Sequence, residues 1–215
     1  MANGVHKITE EFESKLSEYT GAPFVICVDN QSNALFLSLT YYKLKNNISE
    51  LVVEIPERTY PSVPCEIIHT HSKVQFSKVE GETLKGAYQL NPTNVWDSAL
   101  RFTADMYIPN SFMCLSFTGP YKHLKLSKGG AILMDDYQAY KWFKKARFSG
   151  RDECSYHDDD FDNNPVIGWN FYMMPEIASR GLLLMSQFYE VNGSKKSNPD
   201  LELPYPNLSK FKIFQ

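Results

Sequence analysis

Apolar residues recur at helical spacing at Ile8, Phe12, Leu16 and Tyr19, and Gly21 ends that run. Thr9 is the expected N-cap, followed by Glu10, Glu11 and Glu13, whose charges suit the positive end of a helix dipole. Residues 24–28 are continuously apolar and read as a buried strand. A polar turn at residues 29–33 leads into a second helix carrying Leu35, Leu39 and Tyr42. Residues 51–55 form the next expected strand, stopped by Pro56, and residues 65–69 and 74–76 read as further short strands. Residues 81–93 lack periodicity and read as loop. Val95 and Trp96 lead into Asp97, and residues 112–117 are another apolar run. Gly129 and Gly130 precede a strand at 131–134, after which Asp135 and Asp136 cap a helix with Tyr137, Tyr140, Trp142 and Phe143. Residues 149–165 are a polar, acidic loop. Pro175 suits the first turn of a last helix, with Ile177, Gly181, Leu184 and Phe188 on its face. This alternation predicts an α/β fold with a mostly parallel sheet flanked by helices. Neither a repeat nor a linker divides it, so residues 1–215 read as one domain with a tail at 192–215.

Composition narrows the function classes. With 43% hydrophobic and 22% charged residues among 215, the chain can bury a substantial core. A formal charge of -3 gives no reason to expect a nucleic-acid or anionic-membrane partner. No apolar run is long enough to span a bilayer, and the N-terminus has no apolar signal-peptide core. The cysteines at 27, 65, 114 and 154 are too scattered for a zinc clamp or a disulfide framework, which points to reduced thiols in a cytoplasmic protein.

Three places could carry chemistry. The turn at 29–33 follows a buried strand and opens a helix, so the N–H groups of Gln31, Ser32 and Asn33 and the Ser32 hydroxyl could cradle a phosphate. Many such turns are only caps. Asp97 lies just past a buried strand, where open α/β sheets place ligands, although a plain N-cap has the same spacing. Lys122 stands in partly apolar surroundings, where a lysine can become a nucleophilic amine. A solvated lysine beside Lys125 and Lys128 is the plainer reading. His69 and His71 could share one strand face as metal ligands but have no third partner, and residues 157–160 lack the spacing of a calcium loop. No metal site is expected.

Taken together, these segments resemble the DegT/DnrJ/StrS family of nucleotide-sugar aminotransferases, which depend on pyridoxal 5′-phosphate (PLP). Residues 12–21 resemble the family's opening helix, and residues 28–35 stand in place of its Asn-Ser-Gly-Thr phosphate turn. Residues 55–60 replace the segment whose aromatic residue stacks on the cofactor ring. Trp96-Asp97-Ser98-Ala99 resembles Glu-Asp-Ala-Ala, and Ser116-Phe117, Lys122 and Gly129-Gly130 resemble the Ser-Phe…Lys…Gly-Gly signature. Gly168-Trp169-Asn170-Phe171-Tyr172-Met173 resembles Gly-Tyr-Asn-Tyr-Arg-Met. The resemblance implies a fold-type-I large domain, with a Schiff base on Lys122 and Asp97 on the ring nitrogen. It implies Tyr60 stacked on the ring and Gln31, Ser32 and Ser116 on the phosphate, joined by Asn170 of a neighbouring subunit. A homodimer with shared sites follows.

The chain departs from the pattern in several places. It is short, with no room after Phe188 for the family's small C-terminal domain. Gln31 replaces the glycine of the phosphate turn, which works only if no positive φ is needed. Leu100 replaces a glutamine on the cofactor's ring oxygen, with Arg101 next to it. The expected activity is amino transfer to a keto group of a nucleotide-linked sugar, with an amino-acid donor that the resemblance makes glutamate. The alternatives are a non-catalytic binding or scaffold protein of the same fold and a PLP-dependent sugar dehydratase. The dehydratases carry histidine where Lys122 stands.

Overall fold

The computed structural model describes residues 6–78, 84–153, 165–192 and 204–214, with backbone alone at 188–192. Among the described residues five helices and seven strands follow one another as α1 (Lys7–Thr20), β1 (Phe24–Val28), α2 (Gln31–Asn46), β2 (Val52–Pro56), α3 (Ser62–His69), β3 (Lys73–Ser77), β4 (Tyr88–Gln89), β5 (Val95–Asp97), β6 (Phe112–Ser116), β7 (Gly130–Met134), α4 (Tyr137–Ala146) and α5 (Pro175–Asn192). Two short 3-10 turns, Leu208–Lys210 and Lys212–Phe214, follow.

The main sheet has the order β1-β7-β6-β5-β4, and β2 and β3 form a separate parallel pair joined through α3. Side chains alternate across the main sheet. Ile26, Val28, Cys114, Ile132 and Met134 face a core built with α2 and α4. Val25, Cys27, Met113, Leu115, Ala131 and Leu133 face a second core against α1 and α5. Apolar side chains on both faces are what make β1, β6 and β7 read as unbroken apolar runs.

The α/β class with flanking helices holds, but the expectation of a mostly parallel sheet does not. Within the main sheet only β5 and β6 run parallel, while β1–β7, β7–β6 and β4–β5 are antiparallel. Continuous apolar strands are usual in parallel sheets because helices cover both faces. Here the same two-sided burial surrounds antiparallel strands, so the pattern reported burial and not direction.

Residues 65–69, expected as a strand, lie in α3, whose Val63, Pro64 and Ile67 are buried at helical spacing. Pro64 falls in the first turn, where no intrahelical N–H is needed. The first helix begins at Lys7, so Thr9 is inside it, buried, and not its cap. Gly21 ends it at φ 76°, as expected. Asp136 caps α4 through Oδ1, which accepts from the Gln138 and Ala139 N–H at 2.8 and 3.1 Å. The face of α5 against α1 is centred on Ala178, Gly181 and Met185, with Ile177 and Leu184 at its margin. A Cβ at Gly181 would lie 2.6 Å from the Phe12 ring, so the glycine permits the close approach of the two helices.

Glu13 is not a surface partner of the helix dipole. It is buried and paired with the guanidinium of Arg147, which also donates from Nε to Glu153 at 2.7 Å. Glu13 accepts the Cys27 N–H at 2.7 Å, and Arg147 donates to the Cys27 carbonyl, so the cluster ties α1, β1 and the end of α4 together. Burial pushes the Glu13 carboxyl up despite the nearby cation.

The described cysteines 27, 65 and 114 are free thiols. Cys154, the acidic residues 157–160, most of the loop at 149–165 and most of the tail lie outside the described residues, as does the Phe188 side chain. Among the described residues no helix is long and apolar enough to cross a membrane, and no group of three or more His, Cys, Asp or Glu could hold a metal. His69 and His71 sit at the end of α3 and in the following turn, not on a strand face.

Candidate active site

Strand β1 leads through Asp29 and Asn30 into α2. Asn30 caps the helix, its Oδ1 accepting the Asn33 N–H at 2.8 Å. Asn33 returns a side-chain bond to Asp29 at 2.7 Å, and Lys128 pairs with Asp29 at 3.0 Å. The N–H groups of Gln31 and Ser32 are in the first turn, where a helix supplies no carbonyl partner. Gln31 starts the helix without a positive φ, so the replacement of glycine is accommodated. Another glycine is required nearby. A Cβ at Gly130 would lie 2.6 Å from both the Asn30 carbonyl carbon and the Gln31 nitrogen, so β7 crosses directly under the turn.

The loop from β6 to β7 carries Lys122. Its base is closed by the Phe117 N–H on the Gly129 carbonyl at 3.0 Å and the Leu126 N–H on the Phe117 carbonyl at 2.9 Å. Buried Leu124 and Leu126 anchor it, while Lys125 and Lys128 face solvent. Lys122 points inward and donates from Nζ to the Ala99 carbonyl at 2.6 Å. Burial lowers its pKa from the ordinary lysine value, and the charge of Asp97 partly opposes that shift.

Gln31, Ser32, Tyr60, Ser116 and Lys122, five of the seven expected site residues, line one cavity of about 370 Å³. That is at the small end of the range for small-molecule sites, about 300–1,000 Å³. Asp97 lies behind its wall, 4% exposed. Its Oδ1 accepts from Gln31 Nε2 at 2.7 Å and from the Ala99 N–H at 2.9 Å, and Oδ2 accepts from the Tyr88 hydroxyl at 3.0 Å. Burial raises the Asp97 carboxyl, while these three bonds and the Lys122 charge pull the other way. The Ser32 hydroxyl donates to Ser62 Oγ at 2.8 Å. Asn170 does not join the cavity. It is exposed, and its backbone pairs with Phe148 beside the Arg147 cluster. Arg101 reaches the Lys85 carbonyl at 3.2 Å and does not line the cavity.

Sequence reasoning missed four neighbours. Tyr88 bonds both Asp97 and Thr59, the latter at 2.5 Å, and burial followed by the Asp97 charge raises its hydroxyl pKa well above the usual value. Thr118, Tyr121 and Tyr205 complete the cavity wall. Tyr205 had a signal in the flanking Pro204 and Pro206, which mark an extended segment presenting one aromatic ring. Tyr88, in a strand of two residues, had none.

Residues 4–95 match the model of the DegT/DnrJ/EryC1/StrS aminotransferase family. That stretch includes Gln31, Ser32 and Tyr60 and stops before Asp97, Ser116 and Lys122. Among curated proteins, none matches the sequence. Among solved structures, a sugar aminotransferase from Micromonospora echinospora superposes with a TM-score of 0.71 at 16% identity, over 88% of this chain and 62% of that one. An aminotransferase of Helicobacter pylori involved in the biosynthesis of pseudoaminic acid gives 0.64 at 16% identity, over 86% and 58%. A GDP-4-keto-6-deoxymannose-3-dehydratase with bound GDP-perosamine gives 0.63 at 13% identity, over 85% and 61%. The chain thus spans about three fifths of the length of the structures it matches. The resemblance drawn from the motifs is borne out: the sequence matches the DegT/DnrJ/EryC1/StrS aminotransferase family over residues 4–95, and the chain has the fold of the sugar aminotransferases.

Proposed function

We propose that the chain is a PLP-dependent aminotransferase module that moves an amino group from an amino acid, with glutamate the first donor to try, to a keto group of a nucleotide-linked sugar. The observation that carries this reading is the convergence of Lys122, Ser32, Ser116, Tyr60 and the start of α2 on one cavity with Asp97 behind it. The residues present fit the cofactor. A desolvated amine suits its aldehyde, and open helix-start N–H groups and two serine hydroxyls suit its phosphate. Tyr60 offers a ring face, and Asp97 Oδ2, which accepts one bond, has a lone pair left for a ring nitrogen. When bound, PLP supplies an electron sink for the carbanion formed at the substrate carbon.

The chain's own residues divide the remaining work. Ser32, Ser116 and the Gln31 and Ser32 N–H groups hold the phosphate end, and Asp97 orients the ring. Lys122 Nζ, kept from full solvation, would accept a proton from the donor's α-carbon and pass it to the cofactor carbon that had borne the aldehyde. The lowered Lys122 pKa enlarges the fraction of neutral amine at physiological pH. Asn170, exposed and outside the cavity, is available to a second copy of the chain, which is the arrangement a homodimer with shared sites requires.

A second reading, a binding or scaffold protein of the same fold, is favoured by one detail. Asp97 already accepts from three donors of the protein itself. One experiment separates the two readings. The protein is mixed with PLP, reduced with borohydride and mapped by mass spectrometry, then assayed with glutamate and a keto-sugar nucleotide. The aminotransferase reading expects the reduced adduct on Lys122, its loss in Lys122→Ala, and release of 2-oxoglutarate with an amino sugar. An adduct absent from Lys122 in folded protein rejects it. A Lys122 adduct without turnover supports the binding reading, and a deoxy product without nitrogen identifies a dehydratase.

A further inference from the structure

The geometry points to Tyr205 as the outer wall of the Lys122 cavity, shielding the lysine and contacting the ring of a flat, heteroaromatic ligand. This inference rests on the cavity being the ligand site proposed above.

The segment 204–214 is fastened to the end of β2 and its following turn. The Leu208 N–H bonds the Glu57 carbonyl at 2.7 Å, Asn207 pairs with Arg58 in antiparallel fashion, and Arg58 Nη1 donates to the Tyr205 carbonyl at 3.1 Å. The Leu208 side chain is 2% exposed and serves as the apolar anchor. Asn207 Oδ1 accepts the Ser209 N–H at 3.0 Å, which shapes the turn beyond the anchor. Pro204 and Pro206 limit the backbone on either side of Tyr205, so little freedom is lost when the ring is presented.

That ring stands 6.1 Å from Tyr60 at an interplanar angle of 70°. Two rings at a steep angle make a corner, in which a flat ligand can meet one by face and the other by edge. Burial, followed by the charge of Asp97 and the neighbouring Tyr60, raises the Tyr205 hydroxyl to a pKa of about 12, consistent with a position over the cavity and not in bulk solvent. Tyr205 therefore stands with Tyr60 at the cavity wall that a ligand for Lys122 must meet.

The test reads the shielding of Lys122 directly and does not depend on cofactor chemistry. Full-length protein is pulsed with acetic anhydride, and acetylation of Lys122 is measured against the exposed Lys125 in the parent, Tyr205→Phe, Tyr205→Ala and Leu208→Asp proteins. Tyr205→Phe keeps the ring and should match the parent. Tyr205→Ala and Leu208→Asp should acetylate Lys122 several-fold faster, the second without touching the cavity. Parental labelling in both overturns the proposal. A PLP titration followed by absorbance runs in parallel, and Tyr205→Ala is expected to bind about two- to tenfold more weakly, the loss of one aromatic contact. Faster Lys122 labelling in variants of a parent that takes up no PLP supports the shielding wall and rejects the cofactor reading. Equal PLP affinity with equal labelling across the set rejects Tyr205 and leaves the cofactor reading standing.

Discussion

At the scale of the residue, Gln31 does more than replace a glycine. Its side chain is 6% exposed and turns inward to donate to Asp97, so a backbone element of the turn is also a side-chain element of the site. Gln31→Ala removes one of three donors from a buried carboxylate, a loss of about 1–3 kcal/mol. Because burial already raises the Asp97 carboxyl, its contribution to stability is present at low pH and falls as pH rises through the folded-state value. The variant moves that value further up. Urea unfolding should therefore show a larger deficit at pH 8 than at pH 5, and equal deficits would show that Gln31 does not tune Asp97. Ser32 and Lys122 stood out by position, one in the turn between a buried strand and a helix and the other among apolar neighbours, whereas Tyr60 and Ser116 came only through the resemblance to the family. The contacts of Tyr88 and Tyr205 were not readable, because those with Asp97 and Tyr60 cross 9 and more than 100 residues respectively, and the prolines beside Tyr205 mark an extended segment without naming its partner.

At the scale of the element, most helices and strands were readable, and the errors share a cause. Two-sided burial makes β1 and β7 look like parallel strands, and a short apolar run at 65–69 fits a strand or a helix equally well until its neighbours are known. The Arg147 cluster was also hidden, since Glu13 reaches Arg147 across 134 residues of chain. Arg147→Met would leave Glu13 and Glu153 buried without a cation, and a loss of about 3–5 kcal/mol is expected in urea unfolding. A variant as stable as the parent would mean that the carboxylates find water or become neutral at little cost.

At the scale of the whole molecule, the cavity is assembled from places far apart in the chain. The start of α2, the ends of β5 and β6, the loop bearing Lys122 and the segment at 204–214 all contribute. The region that matches the family model, residues 4–95, holds only part of the site and none of β6 or β7. A fragment of residues 1–110 should therefore lack a cooperative unfolding transition by circular dichroism. A sharp transition would show that α1, α2 and β1 form a stable unit without the rest of the sheet.

The pairing of β1 with β7 has a consequence for synthesis. Among the described strands of the sheet, β1 pairs with β7 alone, and Val28 meets Gly130 across it. At about 5–20 residues per second, the roughly 100 residues between them take about 5–20 seconds to translate. During that interval the ribosome carries an apolar strand without its mate. The nascent chain is then most exposed to aggregation and most dependent on chaperones, and synonymous codons that slow translation between these strands would lengthen the risk.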